Sequence, residues 1–481
     1  MRRWAIISAV VFAGCARFVS RPLAPSETAA RFEQRALGNP ELKTFLETQL
    51  HRDFPNWPAP AWNSEMLTLA AFYYSPNLEV ARAQWRVSQA ETKSAGARPN
   101  PTLSVTPEYN FNALSGVTPW LPGVNLDVPI DTAGKRGKRI ARAQHLSDAA
   151  RLNLATVAWQ VRGNVRASLL DFVAAQRREM VLQQQVALRE QLGGRLESQA
   201  KAGAIAATEL TTSRISLAKA RSELADTQRQ LAESRVRLAD AIGVPVSAFG
   251  VPPSGGPADS GKPPEGGTPN VAFDLARFPI ADDLTSADAR RAALKGRTDI
   301  LAALAEYAAS ESALQLEIAK QYPDVHFSPG YQFDQGDNKW HLGLSAELPV
   351  LNRNQGPIAE AAARRAESAA RFEALQARVI GEIDRAIAIL DANGKNQAAL
   401  QSLAAAQQAQ SESVAAQFKA GASDQLDVLN AQLEFNVTAL AELDAQLKLH
   451  QSLGALEDAV QRPLEANTAP PAGVTASSLK K

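Results

Sequence analysis

The sequence predicts an α+β membrane protein built from two internal repeats, each a helix, a short β-hairpin and then very long helices. Three observations carry that prediction. First, segments recur in order: PTLSVTPEYNF from Pro101 to Phe111 lines up with PDVHFSPGYQF from Pro323 to Phe333, a shift of 222 residues (323 − 101). DVPI at Asp127–Ile130 matches ELPV at Glu347–Val350 with a shift of 220, and KAG at Lys201–Gly203 matches KAG at Lys419–Gly421 with a shift of 218. Solenoid repeats recur every 20–50 residues or so, so this longer period marks one fold made of two equivalent halves. Second, the matched strand segments alternate apolar and polar residues with a period of two. Third, no proline occurs between Pro129 and Pro245 or between Pro357 and Pro463, although the chain holds 28, which keeps long helices continuous.

At the N-terminus, Arg2 and Arg3 precede an apolar stretch from Trp4 to Ala13, too short to span a bilayer as a helix but suited to a signal-peptide core. The stretch ends in Val11-Phe12-Ala13-Gly14-Cys15, which resembles a bacterial lipobox with Phe12 where Leu is usual. Residues 1–14 are therefore read as a signal peptide, with Cys15 as the acylated first residue of the mature chain. The alternative is an ordinary signal peptide with an incidental cysteine. Cys15 is the chain's only cysteine, so no intrachain disulfide forms, and Ala16 in place of an aspartate favours sorting to the outer membrane. Residues 15–60 read as a lipid-anchored, extended segment with Pro55, Pro58 and Pro60, lying along the outside of the body.

Repeat 1 covers 61–245 and repeat 2 covers 285–462; a Pro/Gly-rich linker, 246–284, joins them, and a flexible tail, 463–481, follows. Strands are expected over Pro101–Phe111, Val117–Ile130, Asp324–Phe333 and Lys339–Val350, with hairpin loops near Asn112–Thr118 and Gln335–Asn338. Leu103, Val105, Pro107, Tyr109 and Phe111 share one face of the first strand, opposite Thr102, Ser104, Thr106, Glu108 and Asn110. Segments of roughly ten residues with this alternation and aromatics near their ends suit an outer-membrane barrel, lipid outside and water inside. A half-buried sheet of a soluble protein shows the same alternation. Four strands cannot close a barrel, since the smallest have about eight, so several chains must share one.

The stretch from Asp131 to Ala200 would extend about 100 Å as one helix at 1.5 Å per residue. Leu210, Leu217, Leu224, Leu231 and Leu238 fall at seven-residue intervals, and Leu426, Leu429, Leu433, Val437, Leu440, Leu443 and Leu447 follow steps of three and four. Both are coiled-coil seams. Each long helix is expected to reverse at its KAG, with Gly203 and Gly421 left-handed and Thr208 and Ser423 starting the return helices. Lys135, Arg136, Lys138 and Arg139 oppose the dipole at a helix start just inside the membrane and ask for an anionic partner, such as acidic lipid phosphates. A solvated helix start is the plainer alternative.

The formal net charge of +1 leaves no nucleic-acid footprint. Five histidines and one cysteine form no metal motif, and no phosphate loop, nucleophile motif or carboxylate pair suggests catalysis or a cofactor. The expectation is a protein that is not an enzyme.

Taken together, the duplicated plan, the Pro-led strands at Pro101 and Pro323, the PIDTAGKRGKRIARAQ stretch from Pro129 to Gln144 and GASDQLDVLNAQ from Gly421 to Gln432 resemble the TolC-type outer membrane factor family. The resemblance implies a homotrimer whose four strands per chain make a 12-stranded barrel, continued by a long α-helical coiled-coil barrel in the periplasm. It implies a lipid-anchored passive exit duct in the cell outer membrane, serving a tripartite efflux pump or a type I secretion system. A periplasmic adaptor and an inner-membrane pump, of the RND type, would open it. Adaptor contacts would fall at the helix tips, at Lys201, Gly203, Lys419 and Gly421. The GKRGKRIARA wording and the lipobox resemble the heavy-metal-efflux branch. The family's periplasmic gate is a D-V-L-D-A stretch; here Asp427-Val428-Leu429-Asn430-Ala431 keeps the first acid, Asn430 replaces the second, and Asp424 offers a substitute ring. The competing readings are a structural coiled-coil envelope lipoprotein without conductance and an exported enzyme on a helical scaffold.

Overall fold

Two helices of more than sixty residues set the dimensions of the molecule. A computed structural model describes residues 17–249 and 282–463, together with 270, 271, 273 and 275. Cys15, the signal-peptide residues and the tail after Pro463 lie outside the described residues. The chain begins with α1 (Pro25–Glu33) and α2 (Pro40–Leu50), each with proline in its first turn, where a missing N–H costs nothing. A two-residue strand, β1 (Ala61–Trp62), leads to α3 (Ser64–Tyr74), capped by Asn63, and to α4 (Pro76–Ala95), capped by Ser75. The hairpin β2 (Thr102–Tyr109) and β3 (Trp120–Ile130) follows, then α5 (Lys135–Lys201) and its return helix α6 (Ala207–Ile242).

The second half repeats this order. After β4 (Asn270–Val271) and the short α7 (Asp282–Thr285) come α8 (Ala287–Gly296) and α9 (Thr298–Ala319). The hairpin β5 (Val325–Asp334) and β6 (Asp337–Ala346) precedes α10 (Gln355–Lys419) and α11 (Gln425–Val460). The backbone matches in detail: Gly134 (φ 69°) and Asn354 (φ 58°), 220 residues apart (354 − 134), are the left-handed residues that open α5 and α10. Gly203 (φ 74°) and Gly421 (φ 76°) close the same two helices. In both reversals a 6→1 bond satisfies a last-turn carbonyl, Ala204 N to Gln199 O and Ala422 N to Gln417 O, each 2.9 Å.

The helices are staged in two levels around α5. Near the sheet α5 packs between α4 and α9, with α10 beyond α9; farther away it packs between α6 and α11, with α10 beyond α11. The main core lies where the levels meet. Val165, Leu169 and Phe172 of α5 pack with Leu67 and Phe72 of α3, Leu238 and Ile242 of α6, and Leu42 and Leu46 of α2. That level is roughly 45 Å along α5 from its start, at 1.5 Å per residue. A smaller core in the second half gathers Ile300, Val379, Ile383 and Leu456.

Buried ion pairs join the halves at this level. Glu457, 1% exposed, accepts from Arg162 Nη2 at 2.5 Å and also from Arg166, which donates to Asp458 Oδ2 (2.6 Å) and Gly454 O (2.7 Å). Gly454 has no Cβ because one would stand 2.5 Å from Arg166 Nε. Arg297 grips Asp299 through two bonds of 3.0 and 2.7 Å and donates to Ala459 O at 2.6 Å. Burial by itself would raise the Asp299 pKa, but this guanidinium and the Ile300 N–H hold the carboxylate below its ordinary range.

Several expectations are corrected here. Residues 15–60 are not an extended outer strap over their described part: α1 and α2 form, and Leu37, Leu42, Leu46, Phe54 and Ala59 are buried in the main core. The prolines at 55–60 interrupt helix without preventing burial. The end of the linker docks: β4 pairs in parallel with β1, Leu275 is fully buried, and the His450 ring meets Leu275 O at 2.9 Å. Thr208 lies inside α6, whose N-cap is Ala206, and Ser423 donates to Val414 O while Asp424 caps α11. The α6 seam holds, with Leu217, Leu224 and Leu231 interleaved by buried Ala220, Thr227 and Ser234. In α11 Val437 leaves the seam, 52% exposed, and Asn436 takes the inward place.

Candidate functional site

β2, β3, β5 and β6 form one antiparallel sheet in that order. Its register puts apolar residues opposite one another throughout: Leu103 faces Leu126, Val105 faces Val124, Val128 faces Phe327, and Phe327 faces Leu344. This face is open, with Leu103 64%, Leu342 76% and Leu344 74% exposed. An apolar surface this large needs a partner or a lipid environment. No helix among the described residues is long and apolar enough to cross a membrane. Aromatic rings gather at the hairpin end, where Tyr109 packs edge-on against Phe111 and Trp120, and Tyr331 meets Trp340 at a tilt of 54°.

The opposite face is polar and, on β3 and β5, half-buried. Asp127 accepts from Ser328 Oγ at 2.9 Å and pairs with His326 Nδ1 at 2.9 Å. His341 lies over Gly330, where no side chain would fit beneath the ring. The strands are close to those expected but differ at the second hairpin. Asp337 and Asn338 belong to β6, because Gln335 (φ 53°) and Gly336 (φ 115°) alone make a two-residue turn. Glu347–Val350, expected in the strand, follows β6 without a partner strand among the described residues. The outer edges of β2 and β6 are likewise unpaired there.

Where sheet meets helix, each of the four cations finds an acceptor within the chain. Lys135, 5% exposed, donates to Tyr322 O (2.6 Å) and Asp324 Oδ1 (2.8 Å). Arg136 donates to Gly96 O, Lys138 to Gln315 Oε1, and Arg139 to Asp131 Oδ2, each at 2.7 Å. Gly96 ends α4 and Tyr322 follows α9, so the cations that oppose their own helix dipole neutralise the C-terminal ends of two antiparallel neighbours. Thr132 completes the joint through Asp324 and Pro323 O.

At the far end both reversals are exposed. Lys201, 77% exposed, pairs only along its own helix with Glu197 at 3.2 Å, and Lys419, Gly203 and Gly421 are exposed. Asp424 and Asp427 form a capping box: Asp427 N donates to Asp424 Oδ1 at 2.8 Å and Asp424 N to Asp427 Oδ2 at 3.2 Å. Asp424, Asp427 and Asn430 all reach solvent. The ion pairs around Glu457 and the Asp127–His326–Ser328 cluster were not anticipated; their partners lie 199 to 295 residues apart, and only the matched repeats hint at them.

A four-stranded sheet with one open apolar face thus stands at the end of helices about 100 Å long. The family model for outer membrane efflux proteins matches residues 71–244 and 289–460, most of the chain. The chain belongs to the outer membrane efflux protein family, as an efflux-channel component of the outer membrane. Among solved structures it is similar to the outer-membrane channel OprN, at 16% identity and a TM-score of 0.65 over 93% of this chain and 99% of that one. VceC of Vibrio cholerae is 19% identical, TM-score 0.64, over 84% and 97%. The open state of MtrE from Neisseria gonorrhoeae is 18% identical, TM-score 0.63, over 84% and 90%. At these identities the likeness shows the fold. No curated protein matches the chain in sequence.

Proposed function

We propose that the protein is a passive trimeric exit duct, not an enzyme, in which three four-stranded sheets close a 12-stranded barrel above a shared helical tunnel. The observation that carries this is the sheet itself: apolar outside, polar inside, and open at both edges. With four antiparallel strands, β6 of one copy runs opposite to β2 of the next, so closure continues the antiparallel pattern. The equivalent helices support it. Among the described residues, fifteen of α5 are buried but only six of α10, which leaves α10 a free flank for another copy.

In this reading Cys15 is acylated, the helical body stands in the periplasm, and the tips around Lys201, Gly203, Lys419 and Gly421 meet an adaptor linked to an RND-type pump. Asp427, with Asp424, narrows the periplasmic end. GKRGKRIARA supports the heavy-metal-efflux branch as the finer class. The test compares two neighbours in β6. Leu344→Arg on the apolar face should hinder insertion by about 2–4 kcal/mol near the midplane, and Ser345→Arg on the polar face should insert normally. Equal membrane yields would refute the facing.

A further inference from the structure

The seam where the two halves meet inside one chain is a template for the seam between two chains. We propose that β6 and residues 347–351 of one copy pair with β2 of a second copy in the register of the internal β3–β5 seam. The proposal rests on the shared-barrel reading above and adds its residue-level joint. Inside the chain, β3 and β5 partners have numbers that sum to 455, from Gly123 with Gln332 to Ile130 with Val325. The repeat carries β3 onto β6 and its extension by +220 and β5 onto β2 by −222, so partners across the subunit seam sum to 453 (455 + 220 − 222). Leu103 then faces Val350, Val105 faces Leu348, Thr106 faces Glu347 and Tyr109 faces Leu344.

Four observations favour this register. It sets apolar residues against apolar ones on the outer face, and Leu348 (73% exposed) and Val350 (77%) gain the partners they lack. A slip of one residue would turn that face inward. The prolines also fall at the same steps. The internal ladder pairs 123–125 and 128–130 but not Leu126 or Asp127, beside Pro329, and places Pro129 opposite His326. The mapped seam places Pro107 and Pro349 at those positions, so each missing N–H meets a step that already does without it. The internal Ser328 hydroxyl donates to Asp127, and the mapped pair is again a hydroxyl and an acid, Thr106 and Glu347. Finally, every residue of β2 is exposed, as an edge awaiting a strand would be.

The two seams differ at one point. The internal joint carries the ion pair Lys135–Asp324 at 2.8 Å; the mapped residues are Gln355 and Thr102, both uncharged. The joint between copies therefore lacks the clamp that the joint within each copy has.

Cysteine pairs on the polar face test the register in the lipid-reconstituted full chain. Cβ atoms of directly opposed residues lie close enough for a disulfide, and diagonal neighbours do not. Thr106→Cys with Glu347→Cys should oxidise to a covalent trimer; Thr106→Cys with Ser345→Cys, or with Pro349→Cys, should stay mostly monomeric on denaturing gels. As a second arm, Thr102→Asp with Gln355→Lys should raise the temperature at which detergent dissociates the trimer, each single change giving less. Greatest cross-linking in a slipped pair, or no cross-linking in chains whose native mass is that of a trimer, overturns the seam and leaves the trimer standing. A monomeric native mass overturns the shared barrel as well.

Discussion

Replacing Gly454 with alanine should loosen the middle of the molecule without touching any tip or strand. A Cβ there would stand 2.5 Å from Arg166 Nε and 2.8 Å from Cζ and Nη2, so the guanidinium must move. Three interactions go with it, to Glu457, Asp458 and the Gly454 carbonyl. Asp458 is 41% exposed and contributes little. The remaining two bonds, each involving a charged group, amount to about 3–5 kcal/mol, the range for breaking a buried pair. Alanine's helix preference offsets roughly 1 kcal/mol, leaving about 2–4 kcal/mol. Amide hydrogen exchange along α5 from 158 to 170 reads this locally and should quicken about 30- to 700-fold, at 1.4 kcal/mol per decade. Gly163→Ala is the milder comparison: its Cβ meets the Asp458 carboxylate, with Oδ2 at 2.8 Å, Cγ at 3.4 Å and Oδ1 at 3.5 Å, so it disturbs only the weak Arg166–Asp458 contact and leaves the Glu457 pair, and exchange should change far less. Equal exchange in both variants would refute the Arg166 clamp.

Acidification should weaken the corner where α8 meets α9. The Asp299 pKa is lowered in the folded chain, so its stabilising pair with Arg297 is fully present above the unfolded value of about 4 and is lost as pH falls through the lower folded value. Asp299→Asn should melt lower than the parent at pH 7, with the gap closing in acid; a constant gap would contradict this pairing. At the tip, Asp427→Asn and Asp424→Asn keep an acceptor for the capping box and remove charge. Cation selectivity and block by multivalent cations from the periplasmic side should fall with α11 intact, more for Asp427, whereas unchanged selectivity in the double variant removes the gate. The mass of the N-terminal peptide should show a mature chain beginning at an acylated Cys15; cleavage elsewhere sinks that reading.

The parts of this fold legible in the sequence are those set by local periodicity. Alternation fixes which face of each strand is apolar, and Gly203 and Gly421 mark the reversals because glycine takes the left-handed turn cheaply. What stayed hidden depends on partners far away in the chain. Lys135 could be recognised as a cation needing an acceptor, but not that the end of α9 would supply one. Gly454 carries no signal of its own; its meaning is the Arg166 guanidinium that fills its missing Cβ. The N-terminal helices were masked by prolines, whose effect on local helix is strong, while the burial of Leu42 and Leu46 is decided by α3 and α5. The helix start is expected at Ser423, whereas Asp424 caps α11 with Asp427, which gives both expected gate residues a structural role at the helix start.

Current across a planar bilayer tests the central claim most directly. The full-length mature chain, inserted from detergent as the trimer, should give discrete unitary conductances that favour cations, with both size and selectivity reduced when Asp427→Asn is combined with Asp424→Asn. Trimers that insert stably yet never conduct would contradict a duct and leave a structural envelope lipoprotein in its place.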